Sequence, residues 1–230
     1  LTSPNIQITA CTATEYGKVL LPSSDRLTIS SKRLDEQQMI SLMQNNNFNA
    51  VIDTTHPYAV IVSENIKKSA DITGIPYIRL LRPKQTINDF ENVKFVSSIE
   101  EAISYLSSTT ENILSTIGSK ELAKLCEISD YKERIFARIL PLPDMVKQCF
   151  DMGFTGKHLI CMQGPFSEEL NTALIHQFNI KYTLTKDSGK LGGFIEKVNS
   201  AKNTNTILVV IGRPKVEQGF SYDEVIKMLL

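Results

Sequence analysis

The most constraining feature of the sequence is a regular alternation of short apolar segments with amphipathic ones. Ten apolar segments are typical of β-strands, near residues 5–11, 26–30, 50–54, 76–81, 93–97, 112–117, 134–139, 157–162, 180–185 and 206–212. Helical periodicity fills many of the intervals, at residues 35–47, 58–72, 98–108, 119–127, 143–151, 166–177, 190–202 and 221–230. Because strands that alternate with helices form parallel sheets with crossover helices, the pattern predicts an α/β fold.

The number of strands also predicts more than one sheet. Ten strands are many for a single sheet, and the polar segment 83–92 carries turn signals at Pro83 and at Asn88-Asp89. We therefore predict an N-terminal domain over residues 1–95 and a C-terminal domain over residues 96–230. Each is expected to be a Rossmann-like parallel-sheet domain, with the active site in the cleft between the two.

Composition excludes several classes of protein. The formal net charge is +0, which provides no overall field for nucleic acid. No apolar run approaches the ~20 residues that span a bilayer, and the first residues lack the features of a secretion signal. The three histidines do not have a metal-ligand spacing, so no metal is expected. We expect a cytoplasmic protein whose four scattered cysteines are small buried hydrophobic residues: Cys11, Cys126, Cys149 and Cys161.

Nearly every predicted strand ends in glycine or proline together with polar side chains. In open parallel sheets, ligands bind outside the carboxyl ends of the strands. One such strand end is ordinary turn chemistry, but a series of them indicates a shared ligand site. The strand ends in question contribute residues 53–58, 118–120, 138, 163–166, 186–189 and 212–214.

The segment DTTHPYA, residues 53–59, combines an acid, two hydroxyls, an imidazole and a phenol at one strand end. His56 is either a general acid suited to neutral pH or a structural residue held by hydrogen bonds. Asp53 and Tyr58 are alternative proton donors. Pro57 also has a purely structural interpretation, because proline is well tolerated at the start of a helix.

Two other segments have both a ligand-binding and a structural interpretation. TKDSGKLGG, residues 185–193, is either an anion-binding loop before a helix or a glycine-rich turn with Asp187 or Ser188 as the cap. IGSKEL, residues 117–122, is either a phosphate or carboxylate site or a capped helix. Five cations lie at predicted strand ends: Arg79, Arg82, Arg138, Lys186 and Arg213. Each one alone is typical of a solvated surface, but together they suit a ligand with many carboxylates.

Several of these segments resemble the precorrin-6A reductase family of cobalamin (vitamin B12) biosynthesis, including its cobalt-dependent form. The resemblance is carried, in the family's order, by ATEYG (13–17), DTTHPYA (53–59), IPYIRLLRP (75–83), TIGSKEL (116–122), RILP (138–141), MQGPFSEELN (162–171), TKDSGKLGGF (185–194) and VIGRP (210–214). It implies an oxidoreductase that reduces one double bond of (cobalt-)precorrin-6A to give (cobalt-)precorrin-6B, with hydride from NADH or NADPH. It also implies two Rossmann-like halves around a tetrapyrrole bearing acetate and propionate groups.

The resemblance assigns roles to particular residues. Thr14, Glu15, Tyr16 and Gly17 are expected near the adenosine ribose, and an acid in a loop without arginine favours NADH over NADPH. Thr54, Thr55, His56 and Pro57 are expected to face the nicotinamide, with Asp53, His56 and Tyr58 as the catalytic candidates. The expected substrate-binding residues are Gly118, Ser119, Lys120, Arg138, Gln163, Gly164, Lys186, Asp187, Ser188, Gly189 and Arg213.

One departure from the family pattern keeps other functions open. Members usually open with a strand and a glycine-rich turn similar to GGTxEGR, which holds the cofactor pyrophosphate, whereas this sequence opens at a segment typical of the second strand. We expect that the sequence is an incomplete record of a longer chain. The alternatives are a non-catalytic tetrapyrrole-binding protein and a two-lobed tetrapyrrole enzyme that uses no nucleotide. We expect a monomer or a weak dimer with no membrane or nucleic-acid partner.

Overall fold

The computed structural model describes residues 6–13, 15–83, 90–189, 192–214 and 218–230. Ten strands occur in these residues: β1 Ile8–Cys11, β2 Leu27–Ser30, β3 Val51–Asp53, β4 Tyr77–Arg79, β5 Val93–Val96, β6 Asn112–Ser115, β7 Ile135–Ile139, β8 Leu159–Cys161, β9 Ile180–Lys186 and β10 Ile207–Ile211. The α-helices are α1 Glu15–Val19, α2 Glu36–Gln44, α3 Val60–Thr73, α4 Ile99–Ser107, α5 Leu122–Leu125, α6 Tyr131–Arg134, α7 Pro143–Asp151, α8 Glu168–Gln177, α9 Phe194–Thr204 and α10 Tyr222–Leu229. Two 3-10 turns, Ser119–Glu121 and Gly156–His158, complete the described elements.

The chain divides into two compact units. Unit 1 consists of Leu1–Leu81 and Glu217–Leu230, and unit 2 consists of Arg82–Val216. The predicted boundaries, 1–95 and 96–230, are therefore wrong at both ends of unit 2. The first error arises because β5 hydrogen-bonds to β10, with Val93 opposite Leu208, so that residues 93–96 belong to the sheet of unit 2.

The second error arises because the C-terminal segment returns to unit 1. Leu80 and Phe220 form a parallel bridge beside β4, and the Phe220 backbone N–H donates to Arg79 O at 2.9 Å. Gly219 makes this close approach possible, because a Cβ at that position would collide with Arg79 O. Helix α10 then begins with a capping box in which the Ser221 hydroxyl and the Glu224 carboxylate satisfy backbone N–H groups.

The strands of unit 1 form two separate parallel pairs. Strand β1 pairs with β2, and strand β3 pairs with β4. Among the described residues no ladder joins the two pairs, so the described strands of unit 1 do not form one continuous sheet. Helices α2 and α3 pack together, with Ser69 and Ala70 of α3 buried against α2 and the Ser69 hydroxyl donating to Glu36 O at 3.4 Å.

Unit 2 contains a six-stranded, fully parallel sheet in the order β5-β10-β9-β6-β7-β8. Its core has two described clusters. Leu208 and Val210 of β10 pack against Phe194, Val198 and Ala201 of α9. The other cluster joins β6, β7 and the start of β9 to α8 through Leu114, Phe136, Ile175 and Ile180. All-parallel sheets with apolar strands of this kind confirm the predicted α/β class.

The sequence located every described strand but missed two short helices, α1 and α6. Each has one turn or little more, which is too short for an apolar period to show. The expectation of buried cysteines is correct for Cys149 but wrong for Cys11 and Cys161, which are exposed on β1 and on the edge strand β8. Within the described part of the chain, no helix combines the length and apolar character needed to cross a bilayer.

Candidate functional site

The predicted site residues of unit 1 are organised by a buried ion pair. Asp53 ends β3 and lies opposite Arg79 of β4, and Arg79 Nη1 lies 2.8 Å from Asp53 Oδ1. The Tyr77 hydroxyl donates to Asp53 Oδ2 at 2.8 Å, and the carboxylate is fully buried. Burial alone would raise the pKa of Asp53, but hydrogen bonds from Thr55, Ser63 and Tyr77 outweigh it and lower that pKa. Asp53 is therefore a buried, ionised group that orients its neighbours, which argues against the predicted role as a proton donor.

The same ion pair fixes the turn that follows β3. The Thr55 backbone N–H donates to Asp53 Oδ1 at 2.9 Å. Arg79 donates from Nη1 to Thr55 Oγ1 at 3.0 Å and from Nη2 to Thr55 O at 3.1 Å. The Thr55 hydroxyl also shares a 2.8 Å hydrogen bond with Ser63 of α3. Thr55 is thus held from three sides, while Thr54 beside it is exposed.

His56 and Tyr58 lie at the half-buried surface of this turn. The Tyr58 backbone N–H donates to His56 Nδ1 at 3.3 Å, and the two rings have centroids 5.4 Å apart. With Nδ1 as the acceptor, a neutral His56 carries its proton on Nε2. Pro57 is buried, and the Ala59 N–H donates to His56 O at 2.7 Å to close the turn before α3. Both predicted roles of His56, structural and acid–base, are compatible with this geometry.

A second group of predicted residues lies at the carboxyl ends of β1 and β2. Glu15, the first residue of α1, accepts a hydrogen bond from the Ser31 hydroxyl just after β2. Gly17 packs against Thr12, since a Cβ there would lie 3.0 Å from Thr12 Cβ. Tyr16 belongs to α1, and Thr14 lies outside the described residues. Ser31 was not predicted, although the register of Cys11 with Ser30 places both loops at one edge.

In unit 2, the end of β9 lies beside the turn that follows β6. Lys186 Nζ lies 3.6 Å from Glu121 Oε1, and the Lys186 side chain is 18% exposed. Burial lowers the pKa of Lys186, although the charge of Glu121 opposes this. The turn starts at Gly118, whose φ of 82° suits glycine, and continues through Ser119 and Lys120 as a 3-10 turn rather than the predicted α-helix. The predicted residues from these two segments are therefore neighbours.

Asp187 and Arg213 have an internal role in unit 2. Arg213 Nε lies 3.1 Å from Asp187 Oδ2, and the guanidinium donates to Arg82 O at 2.8 Å and to Pro83 O at 3.3 Å. The Arg213 side chain is only 7% exposed. These contacts hold three chain segments together and favour a structural role for both residues over the predicted contact with substrate.

The glycine-rich segment after β9 is closely packed where it is described. Gly189 has a φ of 72°, and a Cβ there would lie 3.3 Å from Pro83 O. Ser188 is buried, and a Cβ at Gly192 would collide with its side chain. The predicted residues Ser188 and Gly189 therefore shape the backbone of the loop, while Lys190 and Leu191 lie outside the described residues.

Arg138, near the end of β7, is a buried cation with a fixed orientation. Its guanidinium lies 3.8 Å from the ring centroid of Phe166, and Nη1 donates to Asn171 Oδ1 at 2.8 Å. Burial lowers the pKa of Arg138 to about 10. Gly164 packs beneath the same ring, since a Cβ there would lie 3.0 Å from Phe166 Cε2, whereas Gln163 is exposed.

Lys197 is a second buried cation, which the sequence reasoning missed. It is 6% exposed, and its Nζ donates to Gly192 O at 2.7 Å. Burial and then the nearby charge of Arg138 lower the pKa of Lys197 to about 8. A signal was present, because Lys197 falls between Phe194 and Ala201 at the spacing of the buried stripe of α9.

Comparison with known proteins identifies the family. A family model described as "Precorrin-6x reductase CbiJ/CobK" matches residues 1–230. The cobalt-precorrin-6A reductase of Priestia megaterium is 34% identical, over 97% of this chain and 89% of the relative. The enzyme of the same name from Salmonella typhimurium is 31% identical, over 93% of this chain and 81% of the relative.

A solved structure supports the fold independently. The structure named CobK precorrin-6A reductase has a TM-score of 0.76 to this chain, with 18% identity, and the match covers 97% of this chain and 86% of that structure. At this identity the likeness supports the architecture alone, and the membership rests on the sequence matches. The chain belongs to the precorrin-6x reductase family, CbiJ/CobK.

Proposed function

We propose that the protein is an NAD(P)H-dependent oxidoreductase that reduces one macrocycle double bond of (cobalt-)precorrin-6A to give (cobalt-)precorrin-6B in cobalamin biosynthesis. The observation that carries this proposal is the family match over residues 1–230. The names of the relatives, cobalt-precorrin-6A reductases, support the substrate and the reaction class. The cobalt form is the form named for both relatives, which favours a metallated substrate.

Unit 2 has the chemistry expected of a binding site for a polycarboxylate. Its described strand ends and the adjoining turn contribute Arg138, Lys186 and Lys120, and Ser119 of the same turn adds a hydroxyl. A guanidinium binds a carboxylate through two parallel hydrogen bonds, and ammonium groups add point charges. We assign substrate binding to these residues and to Gly118, which precedes Ser119. We assign it also to Gln163 and Gly164, which follow β8, since Gly164 packs against the Phe166 ring that covers Arg138.

Unit 1 has groups that fit a nicotinamide nucleotide. The Glu15 carboxylate and the Ser31 hydroxyl lie together at the carboxyl ends of a parallel strand pair, where dinucleotides bind in α/β sheets. An acid at that place accepts hydrogen bonds from the ribose hydroxyls, which favours NADH over NADPH. The bound nucleotide supplies the hydride, while Thr54 and the turn through Pro57 shape the surface beside it.

The reduction also needs a proton, and the described turn after β3 offers two donors. His56 carries its proton on Nε2 when Nδ1 accepts from the Tyr58 N–H, and Tyr58 provides a phenol beside it. Asp53 does not compete, because it is fully buried and ion-paired with Arg79. We therefore assign proton donation to His56 or Tyr58, and the positioning of the turn to Asp53.

The test is anaerobic incubation of the protein with precorrin-6A, with and without cobalt, and with NADH or NADPH. We expect loss of the reduced-nucleotide absorbance together with the spectral change of the tetrapyrrole, and faster loss with NADH. Binding of the tetrapyrrole without nucleotide oxidation would contradict the proposal and indicate a non-catalytic tetrapyrrole-binding protein. Conversion of the tetrapyrrole in the absence of nucleotide would instead indicate a nucleotide-independent enzyme.

A further inference from the structure

Arg138 and Lys197 are two buried cations whose charges act on each other inside unit 2. The two residues are 5% and 6% exposed, and the charge of Arg138 contributes to the lowered pKa of Lys197. Among the described residues, no carboxylate forms an ion pair with either side chain. Because excess positive charge inside a protein is costly, such a pair favours binding of an anion.

The guanidinium of Arg138 is held in one orientation with donors to spare. The Phe166 ring covers it at 3.8 Å, and Asn171 Oδ1 accepts from Nη1 at 2.8 Å. Asn171 is itself 2% exposed and anchored, since its Nδ2 donates to Ser167 O at 2.7 Å. A guanidinium has five N–H donors, and this described contact uses one. The remaining donors suit bidentate binding of a carboxylate.

Lys197 approaches the same region from α9, next to Gly192 and Gly193. Its Nζ donates to Gly192 O at 2.7 Å, which leaves two of the three ammonium donors. A Cβ built at Gly193 would lie 4.0 Å from Lys197 Nζ and 3.9 Å from Phe166 O. Phe166 O and Lys197 Nζ therefore both lie close to Gly193, while the ring of Phe166 covers Arg138.

The local charge favours one additional anion. Glu196 acts electrostatically on Lys197, and its Oε2 lies 3.7 Å from the same Cβ position at Gly193. Two cations and one carboxylate leave one net positive charge, which a single ligand carboxylate would neutralise. Glu196 Oε2 is buried without a hydrogen-bond partner among the described residues, so this carboxylate is not taken up by another internal donor.

We propose that Arg138 and Lys197 together bind one carboxylate of the substrate, and that Asn171 and Phe166 are positioning residues that orient Arg138 for it. This inference rests on the proposed function, which supplies a tetrapyrrole with acetate and propionate groups. It adds Lys197 to the substrate-binding residues. Tight binding then requires Lys197 to be protonated.

Lys197 binds an anion only as the ammonium, so the affinity depends on pH. Burial and the charge of Arg138 lower the pKa of Lys197 to about 8, while Glu196 opposes the shift. The free protein therefore loses this positive charge as the pH rises through 8. The described charged groups on neighbouring elements have partners of their own: Glu168 accepts from Asn203, Glu169 interacts with Ser167, Lys181 donates to Asn205 O, and Lys186 pairs with Glu121.

The experiment measures the Kd of precorrin-6A by anaerobic absorbance titration of the full chain, at pH values below and above 8. Lys197→Met should raise this Kd by roughly 10- to 100-fold below pH 8, as expected for loss of a hydrogen bond to a charged group. Lys202→Met removes an exposed lysine from the same helix and should leave the Kd unchanged. Lys197→Arg keeps a permanent cation, so it should retain much of the affinity and lose the weakening above pH 8.

Wild-type affinity in Lys197→Met, or a wild-type Kd that is constant through pH 8, would overturn the inference. Nucleotide Kd values, measured on the same variants, should not change. If wild-type protein binds and reduces precorrin-6A while Lys197→Met binds it equally well, the proposed carboxylate site is refuted and the proposed function is not. If wild-type protein does not bind the tetrapyrrole, the proposed function and this inference both fail.

Discussion

Asp53 and Arg79 form a buried ion pair across two parallel strands, with Arg79 Nη1 at 2.8 Å from Asp53 Oδ1. The two residues are in register, so the pair joins the carboxyl ends of β3 and β4. Arg79 also donates to Thr55, and Thr55 donates to Asp53, which makes the turn before His56 part of the same network. The network links the stability of unit 1 to the geometry of its candidate catalytic residues.

Breaking this pair from one side should destabilise the protein strongly. Arg79→Met leaves the Asp53 carboxylate buried without its cation, which costs about 3–5 kcal/mol in comparable cases. Asp53→Asn together with Arg79→Met should cost less than the two single changes combined, because neither charge is then left alone. Urea unfolding of the three variants checks this. A matched control is Lys147→Met, which removes an exposed ion pair with Asp151 and should change stability little.

The ionisation of Asp53 should also affect how the free energy of unfolding changes at acidic pH. Hydrogen bonds lower its pKa in the folded protein below the unfolded value of about 3.9. The carboxylate therefore contributes its full stability above the unfolded pKa, and this contribution is lost as the pH falls through the folded pKa. The stability difference between wild type and Asp53→Asn should be largest near neutral pH and shrink below about pH 4. A difference that grows on acidification would contradict the assignment.

Strand positions could be predicted because each strand is a short apolar run that is visible within its own segment of the sequence. Which strands pair with each other depends on residues far apart in the sequence. The bridge between Leu80 and Phe220 and the pairing of Val93 with Leu208 join distant parts of the chain, which left no signal for the true unit boundaries. Gly219 marks the return to unit 1, but a single glycine before an aromatic residue is typical of many turns.

For the candidate site, too, the residue types could be predicted from the sequence but their contacts could not. Residue types at strand ends indicated Arg138 and Lys186, and both lie at such ends. The sequence does not show which polar groups bind each other, so it predicts Asp53 as a catalytic candidate and Arg213 as a substrate-binding residue. Pairing with Arg79 and with Asp187 favours structural roles for both residues. Lys197 was missed because a lysine within an apolar stripe usually extends to solvent.

His56 and Tyr58 should matter more for turnover than for stability. His56→Ala and Tyr58→Phe remove the two candidate proton donors, and loss of a general acid typically lowers kcat by about 10²- to 10⁴-fold. Neither side chain is fully buried, so the melting temperature should change little. Steady-state kinetics under anaerobic conditions gives kcat, and thermal unfolding gives the stability of each variant.

Ile61→Ala is the control for these two variants, because Ile61 lies in the first turn of the same helix α3 and is 73% exposed. It should leave both kcat and the melting temperature unchanged. An unchanged kcat in both His56→Ala and Tyr58→Phe would remove the turn after β3 from the chemistry. The proton would then have to come from solvent or from the substrate itself.

Lys186 should act on the tetrapyrrole and not on the nucleotide. Lys186→Ala removes a half-buried ammonium at the end of β9, beside Glu121 and the turn at Ser119. The variant should raise the KM for the tetrapyrrole by roughly tenfold or more, the loss expected for one hydrogen bond to a charged group. The nucleotide Kd, measured by the change in reduced-nucleotide fluorescence, should not change.

Two outcomes separate the possible roles of the segment that begins at Lys186. Lys157→Ala removes an exposed cation of the same unit and should alter neither constant, which controls for the loss of overall positive charge. If Lys186→Ala instead raises the nucleotide Kd and leaves the tetrapyrrole KM unchanged, the segment binds the cofactor. The anion held there would then be a phosphate of the nucleotide, because the nucleotide carries phosphates and the tetrapyrrole carries carboxylates.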